Sequence, residues 1–365
     1  MAESLICVSH ERIPTLDGWR AVAILAVFFA HLRWPVSLQR DYTELGNWGV
    51  ELFFALSGFL ITSRLLEEFD QLGCVRWTDF YIRRAFRILP PAFGLLAVLA
   101  TLGLVLHLIP VTASQILAGA LFYRNYWTEP GWYTAHFWSL AVEEQFYLLW
   151  PAVLSIVGLA RGARAAVTLA LAAGVWRALD MHFGWVSHYQ PLLADDPHRT
   201  DYCIGQLFWG CGLAYLWRSR RIRRNIAGLV RSYWVAPLVA AQIVLLTLRP
   251  PGYRAAVEPL MAVLPLITAA DTRGGMSRLL ETAPLKWIGH LSYSLYLWQQ
   301  LFLQSAIPVR ALGAVAGAVV DFVLPFFPAT VSYYLLERPF IAIGRRLEHR
   351  LQTRGRIPSL AEANP

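Results

Sequence analysis

Charged side chains are scarce in this chain. Asp, Glu, Lys and Arg make up 15% of its 365 residues, whereas soluble domains carry about a quarter. Apolar residues make up 56%, and the mean hydropathy is +0.44. This composition argues against a soluble domain and predicts an all-α, polytopic transmembrane helix bundle. The net charge of +8 comes from arginine clusters between apolar segments, which orient membrane proteins, so no nucleic-acid partner is predicted.

Cysteine is equally rare. The four cysteines are Cys7, Cys74, Cys203 and Cys211, and no two of them form a CxxC or zinc-finger spacing. This argues against the common zinc-binding modules, and no metal site is predicted. Cys203 and Cys211 lie eight apart in one apolar segment. Buried free thiols are the first interpretation there, and a bridge or a metal site is the alternative.

Long apolar runs, in contrast, are abundant, and about ten of them are predicted to cross the membrane. They are residues 16–33, 46–66, 87–109, 137–158, 165–183, 202–217, 233–248, 255–270, 289–307 and 311–336. The first is expected to be retained, since Glu3 and Glu11 precede it and no small-residue cleavage site follows. The pattern predicts one membrane-embedded domain, whose bounds of 10–345 follow from the resemblance given below, and a short cytoplasmic tail over 346–365.

Arginine clusters predict the orientation of these spans. One cluster follows the second span, at residues 76–87, so that loop and both chain termini are predicted to be cytoplasmic. A further apolar segment, 113–123, is short for a crossing. If it does not cross, the arginine-rich loop 217–224 also falls inside, where it can contact lipid headgroups. We therefore predict a re-entrant or interfacial piece at 113–123 and place the loop 184–200 outside.

Three ionisable residues lie in the first apolar segment. Arg20 and His31 are eleven residues apart, so on a helix they share one stripe, about 16 Å apart along the axis. Asp17 lies three residues before Arg20 on that stripe. Ionisable groups inside a membrane are costly, so we expect this face to point into the bundle and to carry function. The alternatives are an Asp17–Arg20 pair that sets helix depth and a His31 satisfied by a carbonyl group.

Carboxylates in two further spans extend this hypothesis. Glu51 and Glu143 begin the second and fourth spans, which both run inward, so they are expected at the depth of the histidine. His136, Ser139 and Glu143 form one polar stripe at i, i+3 and i+7. We expect Glu143 to face a polar cavity, whereas Glu144 is rotated by about 100° toward apolar neighbours. A histidine with a carboxylate partner can act as a general base.

Seven sequence blocks, in order, carry a family resemblance. They are IPTLDGWRAVAILAVFFAHL, GVELFFALSGFLI, DFYIRRAFRILPP, HFWSLAVEEQFYLLWP, HRTDYCIGQLFWGCGLA, WIGHLSYSLYLWQQ and LERPF. Over residues 10–345 the chain resembles the acyltransferase 3 family of bacterial integral-membrane acyltransferases. Members of that family acylate hydroxyl groups of carbohydrates or antibiotics with an acyl group from cytoplasmic acyl-CoA. The resemblance implies a multi-pass protein of the bacterial inner membrane that transfers an acyl group, with O-acetyl transfer as the first expectation.

The resemblance also implies roles for matched residues. The family's Arg-x10-His pair falls on Arg20 and His31, and its WSLxVE carboxylate falls on Glu143. With Asp17, these residues form the candidate catalytic set. The family often has a histidine where this chain has Gln299, so an amide can supply a hydrogen bond there but no proton transfer. No bound cofactor is implied, and acyl-CoA, with acetyl-CoA first, is expected as a co-substrate.

Transfer from a thioester to a hydroxyl also needs binding sites for donor and acceptor. The candidate substrate-binding residues are Arg83, Arg84, Arg87, Glu51, Ser139, Trp138, Arg199 and Asp201. The three arginines at the cytoplasmic mouth can hold CoA phosphates, or serve only as positive-inside anchors. Trp138, with Trp132, Tyr133 and Tyr147, can line a saccharide site or an interfacial aromatic belt. Arg199 and Asp201 can pair at the acceptor entrance or form a local salt bridge.

A proton-coupled transporter or flippase of a glycan or lipid-linked sugar is the alternative from another class. It can use the same intramembrane histidine and carboxylates. Transporters commonly contain inverted or parallel repeats, and none is visible in this sequence. The expected partners are therefore acyl-CoA, membrane lipids, and a carbohydrate or lipid-linked or secondary-metabolite acceptor. Direct transfer and an acyl-histidine intermediate both fit the sequence.

Overall fold

The computed structural model describes residues 13–32, 36–189, 198–229, 232–248, 253–271, 273–303 and 314–354. Over these residues the chain is helical and contains no β-strand, which confirms the all-α prediction. The α-helices are α1 Pro14–His31, α2 Val36–Leu72, α3 Trp77–Ala100, α4 Ala113–Ala120, α5 Trp132–Ala135, α6 Phe137–Val157, α7 Gly162–Phe183, α8 Trp185–Tyr189, α9 Thr200–Arg218, α10 Arg220–Leu229, α11 Val235–Leu248, α12 Tyr253–Ala270, α13 Gly275–Leu280, α14 Ala283–Phe302, α15 Ala314–Val323, α16 Phe326–Ser332 and α17 Arg338–Arg354. Most of the predicted outer loop, 190–197, and the end of the predicted tail, 355–365, lie outside the described residues.

Within the part of the chain that the structure describes, four helical stretches are long and apolar enough to cross a membrane. They are Thr43–Leu72, Trp77–Val105, Trp132–Val157 and Val319–Gln352. Each of the ten predicted spans contains helix, but the count of ten crossings is not confirmed and stays a prediction, as does the cytoplasmic placement of both termini. Large apolar side chains on the outer faces of these helices are exposed, for example Ile156 at 84% and Phe327 at 75%. Such faces suit contact with lipid.

The segment predicted not to cross contains only the short helix α4. Its eight residues reach about 12 Å, well short of the roughly 30 Å hydrocarbon core. A capping box between Thr112 and Gln115 begins the helix. Glu129 holds the same turn, since Ser114 and Trp127 donate hydrogen bonds to its carboxylate and lower its pKa. The length of α4 agrees with a re-entrant or interfacial piece.

Helix α2 occupies the middle of the bundle, between α1 and α9. The contact with α9 requires glycine on both sides: a Cβ at Gly58 would overlap the Leu207 carbonyl oxygen, and one at Gly210 would overlap that of Ala55. Small residues let membrane helices approach until backbones touch. Around this centre, α7 packs on α9, α14 packs on α1 and α17 packs on α3. In α9, Cys211 is a buried free thiol, in line with the first interpretation of the cysteines.

Helices α1 and α2 run antiparallel, which sets the depth of the ionisable groups. Gly49 of α2 packs on Ala23 of α1, whereas Gly46, one turn earlier, packs on Ala30. His31 therefore lies level with the beginning of the apolar part of α2. Arg20, about 16 Å away along α1, lies level with residues further toward the end of α2.

Candidate functional site

An open cavity of about 900 Å³ lies between α1, α2, α3, α6 and α14. We call it the arginine cavity. Its polar and charged lining residues are Arg20, Ser57, Arg64, Arg84, Arg87, Ser139, Glu143, Glu144, Tyr147, Ser292, Tyr293 and Tyr296. Four of the predicted site residues besides Arg20 meet here: Arg84, Arg87, Ser139 and Glu143.

Guanidinium groups dominate the charge of this cavity. Over the described residues, no carboxylate oxygen lies within 4.0 Å of the guanidinium of Arg20, Arg64 or Arg87. Arg84 lies over the Tyr147 ring, with 4.3 Å from its Cζ to the ring centroid. Among the described residues that line the cavity, four are arginines and two are glutamates, Glu143 and Glu144, and no ion pair joins the two sets. Such a cavity favours an anionic ligand.

Both adjacent glutamates of α6 line the arginine cavity. The hydroxyl of Ser57 donates to Oε1 of Glu143 at 2.5 Å. Oε1 of Glu144 is buried and has no hydrogen-bond partner among the described residues. The expectation that Glu144 turns toward apolar neighbours is therefore wrong. A cavity bordered by five helices is wide enough to receive side chains that leave α6 about 100° apart.

A polar layer lies beyond Ser139, between α1, α6 and α14. The Ser139 and Tyr296 hydroxyls are 2.6 Å apart. Nδ1 of His136 lies 2.5 Å from Oε1 of Gln300, and Nδ1 of His31 lies 3.2 Å from Oε1 of Gln299. Because an amide oxygen only accepts, Nδ1 of each histidine donates and Nε2 carries the lone pair. Two neighbouring amides of α14 thus orient two histidines.

The structure pairs His31 with an amide and not with Glu143. On α6, Glu143 is seven residues after His136, about 10 Å deeper in the bundle. Since His136 and His31 bind adjacent glutamines of α14, His31 belongs to the level of His136. The expected contact between His31 and a carboxylate is therefore replaced by one with Gln299. The edge of the Trp132 ring also packs on His31, with 5.4 Å between ring centroids.

Arg83 is separated from Arg84 and Arg87. Its guanidinium donates to Glu68 at 2.9 Å and to Glu348 at 2.5 Å, and it does not line the arginine cavity among the described residues. A rotation of about 100° per residue directs Arg83 toward α17 when Arg84 faces the cavity. Arg83 thus holds helices together, and a role in phosphate binding does not fit its contacts.

The remaining predicted residues lie elsewhere. Asp17 is 3.4 Å from Nε2 of His290 on α14. Arg199 forms ion pairs with Asp201 and, at 3.1 Å, with Asp180. These contacts agree with local salt bridges for Arg199 and Asp201. Glu51 and Trp138 line a separate, second cavity of about 430 Å³.

Sequence reasoning missed Arg64 and did not foresee the partner of His31. Arg64 falls at the end of an apolar run, where an arginine reads as an ordinary orientation signal. The bond between His31 and Gln299 joins residues 268 positions apart. The one available signal was the replacement of a family histidine by an amide at position 299.

Comparison with known proteins identifies the family of this chain. The sequence model of the family described as an acyltransferase domain matches residues 13–336. No solved structure gives a significant match.

Several relatives match along most of this chain. The peptidoglycan O-acetyltransferase OatA of Listeria monocytogenes is 26% identical over 91% of the chain and 56% of its own length. YrhL of Bacillus subtilis, provisionally named a peptidoglycan O-acetyltransferase, is 29% identical over 92% of the chain and 56% of its own length. A protein of Staphylococcus aureus strain COL, provisionally named an O-acetyltransferase, is 28% identical over 90% and 57%. The chain thus spans a little over half the length of these relatives.

Proposed function

The chain belongs to the acyltransferase domain family, and on that premise we propose that it is a membrane O-acetyltransferase that moves an acetyl group from acetyl-CoA to a carbohydrate hydroxyl. The observation that carries the proposal is the convergence of Arg20, Arg64, Arg84 and Arg87 on one cavity that also holds Glu143. The names of the relatives favour a peptidoglycan glycan as the acceptor.

The arginine cavity supplies what a CoA thioester needs. CoA carries several phosphate charges, and guanidinium groups bind phosphate through paired hydrogen bonds. Arg64 is exposed at the end of the cavity, where it can meet a donor that enters from the predicted cytoplasmic side. Arg84 and Arg87, one turn apart on α3, present two further donors. The acetyl end can then extend along α2 toward Ser139 and Tyr296.

The transfer step needs a base for the attacking hydroxyl. We assign that role to His31, whose Nδ1 is bound to Gln299 so that Nε2 is the nitrogen able to accept a proton. Nε2 of His31 takes the hydroxyl proton as the hydroxyl oxygen attacks the thioester carbonyl carbon, the C–S bond breaks, and the same proton passes from His31 to the CoA thiolate. The products are an acetyl ester and free CoA.

Arg20 and Glu143 complete the site. Arg20 lies on the stripe of His31 but at the depth of the arginine cavity, so we assign it to donor binding and not to the base. Glu143 limits the positive charge of the cavity, and Ser57 holds its carboxylate in place.

A coupled assay tests the proposal. The full chain in lipid nanodiscs is supplied with acetyl-CoA and soluble, uncrosslinked peptidoglycan strands. Free CoA is measured by chromatography and ester-bound acetyl groups by mass spectrometry. We expect equal amounts of both products. Movement of strands across a vesicle membrane without CoA release would instead establish the transporter alternative.

A further inference from the structure

We propose that the second cavity binds the sugar ring that is acetylated, a proposal that rests on the proposed function. The cavity lies between α2, α6, α9 and α12, and its lining includes Glu51, Trp138, Tyr202, Gln206 and Glu258. These are aromatic rings and planar polar side chains, the two kinds of group that contact the faces and the hydroxyls of a sugar.

An unsatisfied buried amide points to a ligand. Gln206 is 2% exposed, and its Nε2 donates to the Glu258 carbonyl oxygen at 3.1 Å. Its Oε1 has no partner among the described residues. Buried polar atoms of native proteins are nearly always hydrogen-bonded, so we expect this oxygen to accept a hydrogen bond from a ligand. A sugar hydroxyl is such a donor.

An aromatic platform lies in the same cavity. The Trp138 ring is half-buried, with the His198 ring 4.3 Å away and the edge contact of Phe54 at 5.9 Å, both between centroids. Two neighbouring rings hold Trp138 in one orientation. A fixed, partly open indole face offers apolar contact to the C–H face of a pyranose ring.

The charge balance distinguishes this cavity from the arginine cavity. Arg177 forms an ion pair with Glu258, and both side chains are buried. The charge of Glu258 in the cavity wall is thereby neutralised inside the protein. The second cavity suits a neutral, hydroxyl-rich ligand, whereas the arginine cavity suits an anionic one.

The two cavities follow each other along α2. The second cavity is lined by α2 residues from Asn47 to Phe54, and the arginine cavity by residues from Val50 to Arg64. Phe54 lines both, and Trp138 of one cavity adjoins Ser139 of the other in the chain. Donor and acceptor would thus approach from opposite ends of α2. His31, level with Gly46 of α2, lies toward the acceptor end.

Acceptor titrations test this assignment. Parent and variant full chains are compared in nanodiscs, with soluble, uncrosslinked peptidoglycan strands as the probe. Binding of the strands is measured by calorimetry, and their KM is then measured in the transfer assay. We expect Gln206→Leu and Trp138→Ala to weaken strand binding and raise the strand KM at least tenfold, with the KM for acetyl-CoA within about twofold of the parent. Trp138→Phe should restore most of the affinity, since it keeps an aromatic face.

Gln242→Leu is the matched control. Gln242 is a fully buried amide on α11 that accepts from Trp48 at 2.8 Å, so its loss reports general damage from removing a buried amide. An unchanged strand KM in both Gln206→Leu and Trp138→Ala, or no strand binding by the parent, would overturn the site. Strand binding that depends on Gln206 without any acetyl transfer would retain the site and reject the proposed function.

Discussion

Arg64 and Arg83 are chemically identical side chains in opposite electrostatic settings. Arg83 is bound by Glu68 and Glu348, whereas Arg64 lines the arginine cavity. We expect Arg64→Gln to raise the KM for acetyl-CoA about 10- to 100-fold, since a hydrogen bond to a charged group contributes about 1.5–3 kcal/mol.

Arg83→Gln is the control for this prediction. It should leave the KM for acetyl-CoA within about twofold and lower the thermal unfolding midpoint, because it removes the two ion pairs by which Arg83 joins Glu68 of α2 to Glu348 of α17. Steady-state kinetics on both variants decide the matter, and equal KM values for the two would contradict the division of the arginines proposed here.

The orientation of the His31 ring by Gln299 leads to a second prediction at the scale of single residues. Gln299→Leu removes the acceptor of the His31 Nδ1 proton and should lower kcat at least tenfold with little change in either KM. Gln299→Glu keeps an acceptor oxygen and should retain most of the rate. Gln300→Leu, which removes the partner of His136 instead, serves as the matched variant. Loss of rate in Gln300→Leu alone would transfer the role of base to His136.

Substitution of each residue tests the separate roles of His31, as the base, and of Glu143, as a charge in the arginine cavity. General-base assistance contributes about 10²–10⁴-fold, so His31→Ala should lose activity by that factor and still be expressed. Glu143→Gln keeps the shape of the side chain and the contact with Ser57, and it should mainly change the KM for acetyl-CoA. A His31→Ala rate within about threefold of the parent would exclude His31 as the base.

At the scale of helices, the contact between α2 and α9 depends on glycine. A Cβ at Gly58 has no room against the Leu207 carbonyl, and overpacking typically costs about 1–3 kcal/mol. We expect Gly58→Ala to lower the unfolding midpoint in nanodiscs and to impair both cavities, because Phe54 and Ser57 lie on the same helix.

Gly174 of α7 offers the comparison, since beyond its own helix no atom of a described residue lies within 4 Å of its Cβ position. Gly174→Ala should be neutral or slightly stabilising, as alanine is the better helix former. Equal loss of stability in the two variants would show that helix propensity, and not the close approach of α2 and α9, determines the effect.

At the scale of the whole molecule, the open question is the direction of each crossing. In a cysteine-free background, His188→Cys should react with an impermeant thiol reagent in intact cells, and Arg220→Cys should not. Both side chains are exposed, so the membrane alone would determine the difference. Labelling at both positions would reject the ten-span prediction and the placement of donor and acceptor at opposite ends.

Helical periodicity explains how much of the site could be predicted. The spacing along α1 and α6 correctly placed Arg20 and Glu143 on inward faces, because the angle and depth of a side chain within one helix follow from its position in the sequence. The all-helical class followed from the apolar runs, and family membership followed from the ordered blocks.

Partners across helices were decided only by the tertiary structure. The prediction placed His31 beside Glu143 because both were assigned to the outer half of the membrane. The glycines packed between neighbouring helices, on α2, α9 and α14, instead set the actual depth of each helix against the next. Gln299 thereby reached His31, Arg64 entered the arginine cavity, and Arg83 was turned toward α17. Periodicity describes one helix at a time, whereas these contacts depend on how far each helix is shifted along its neighbours.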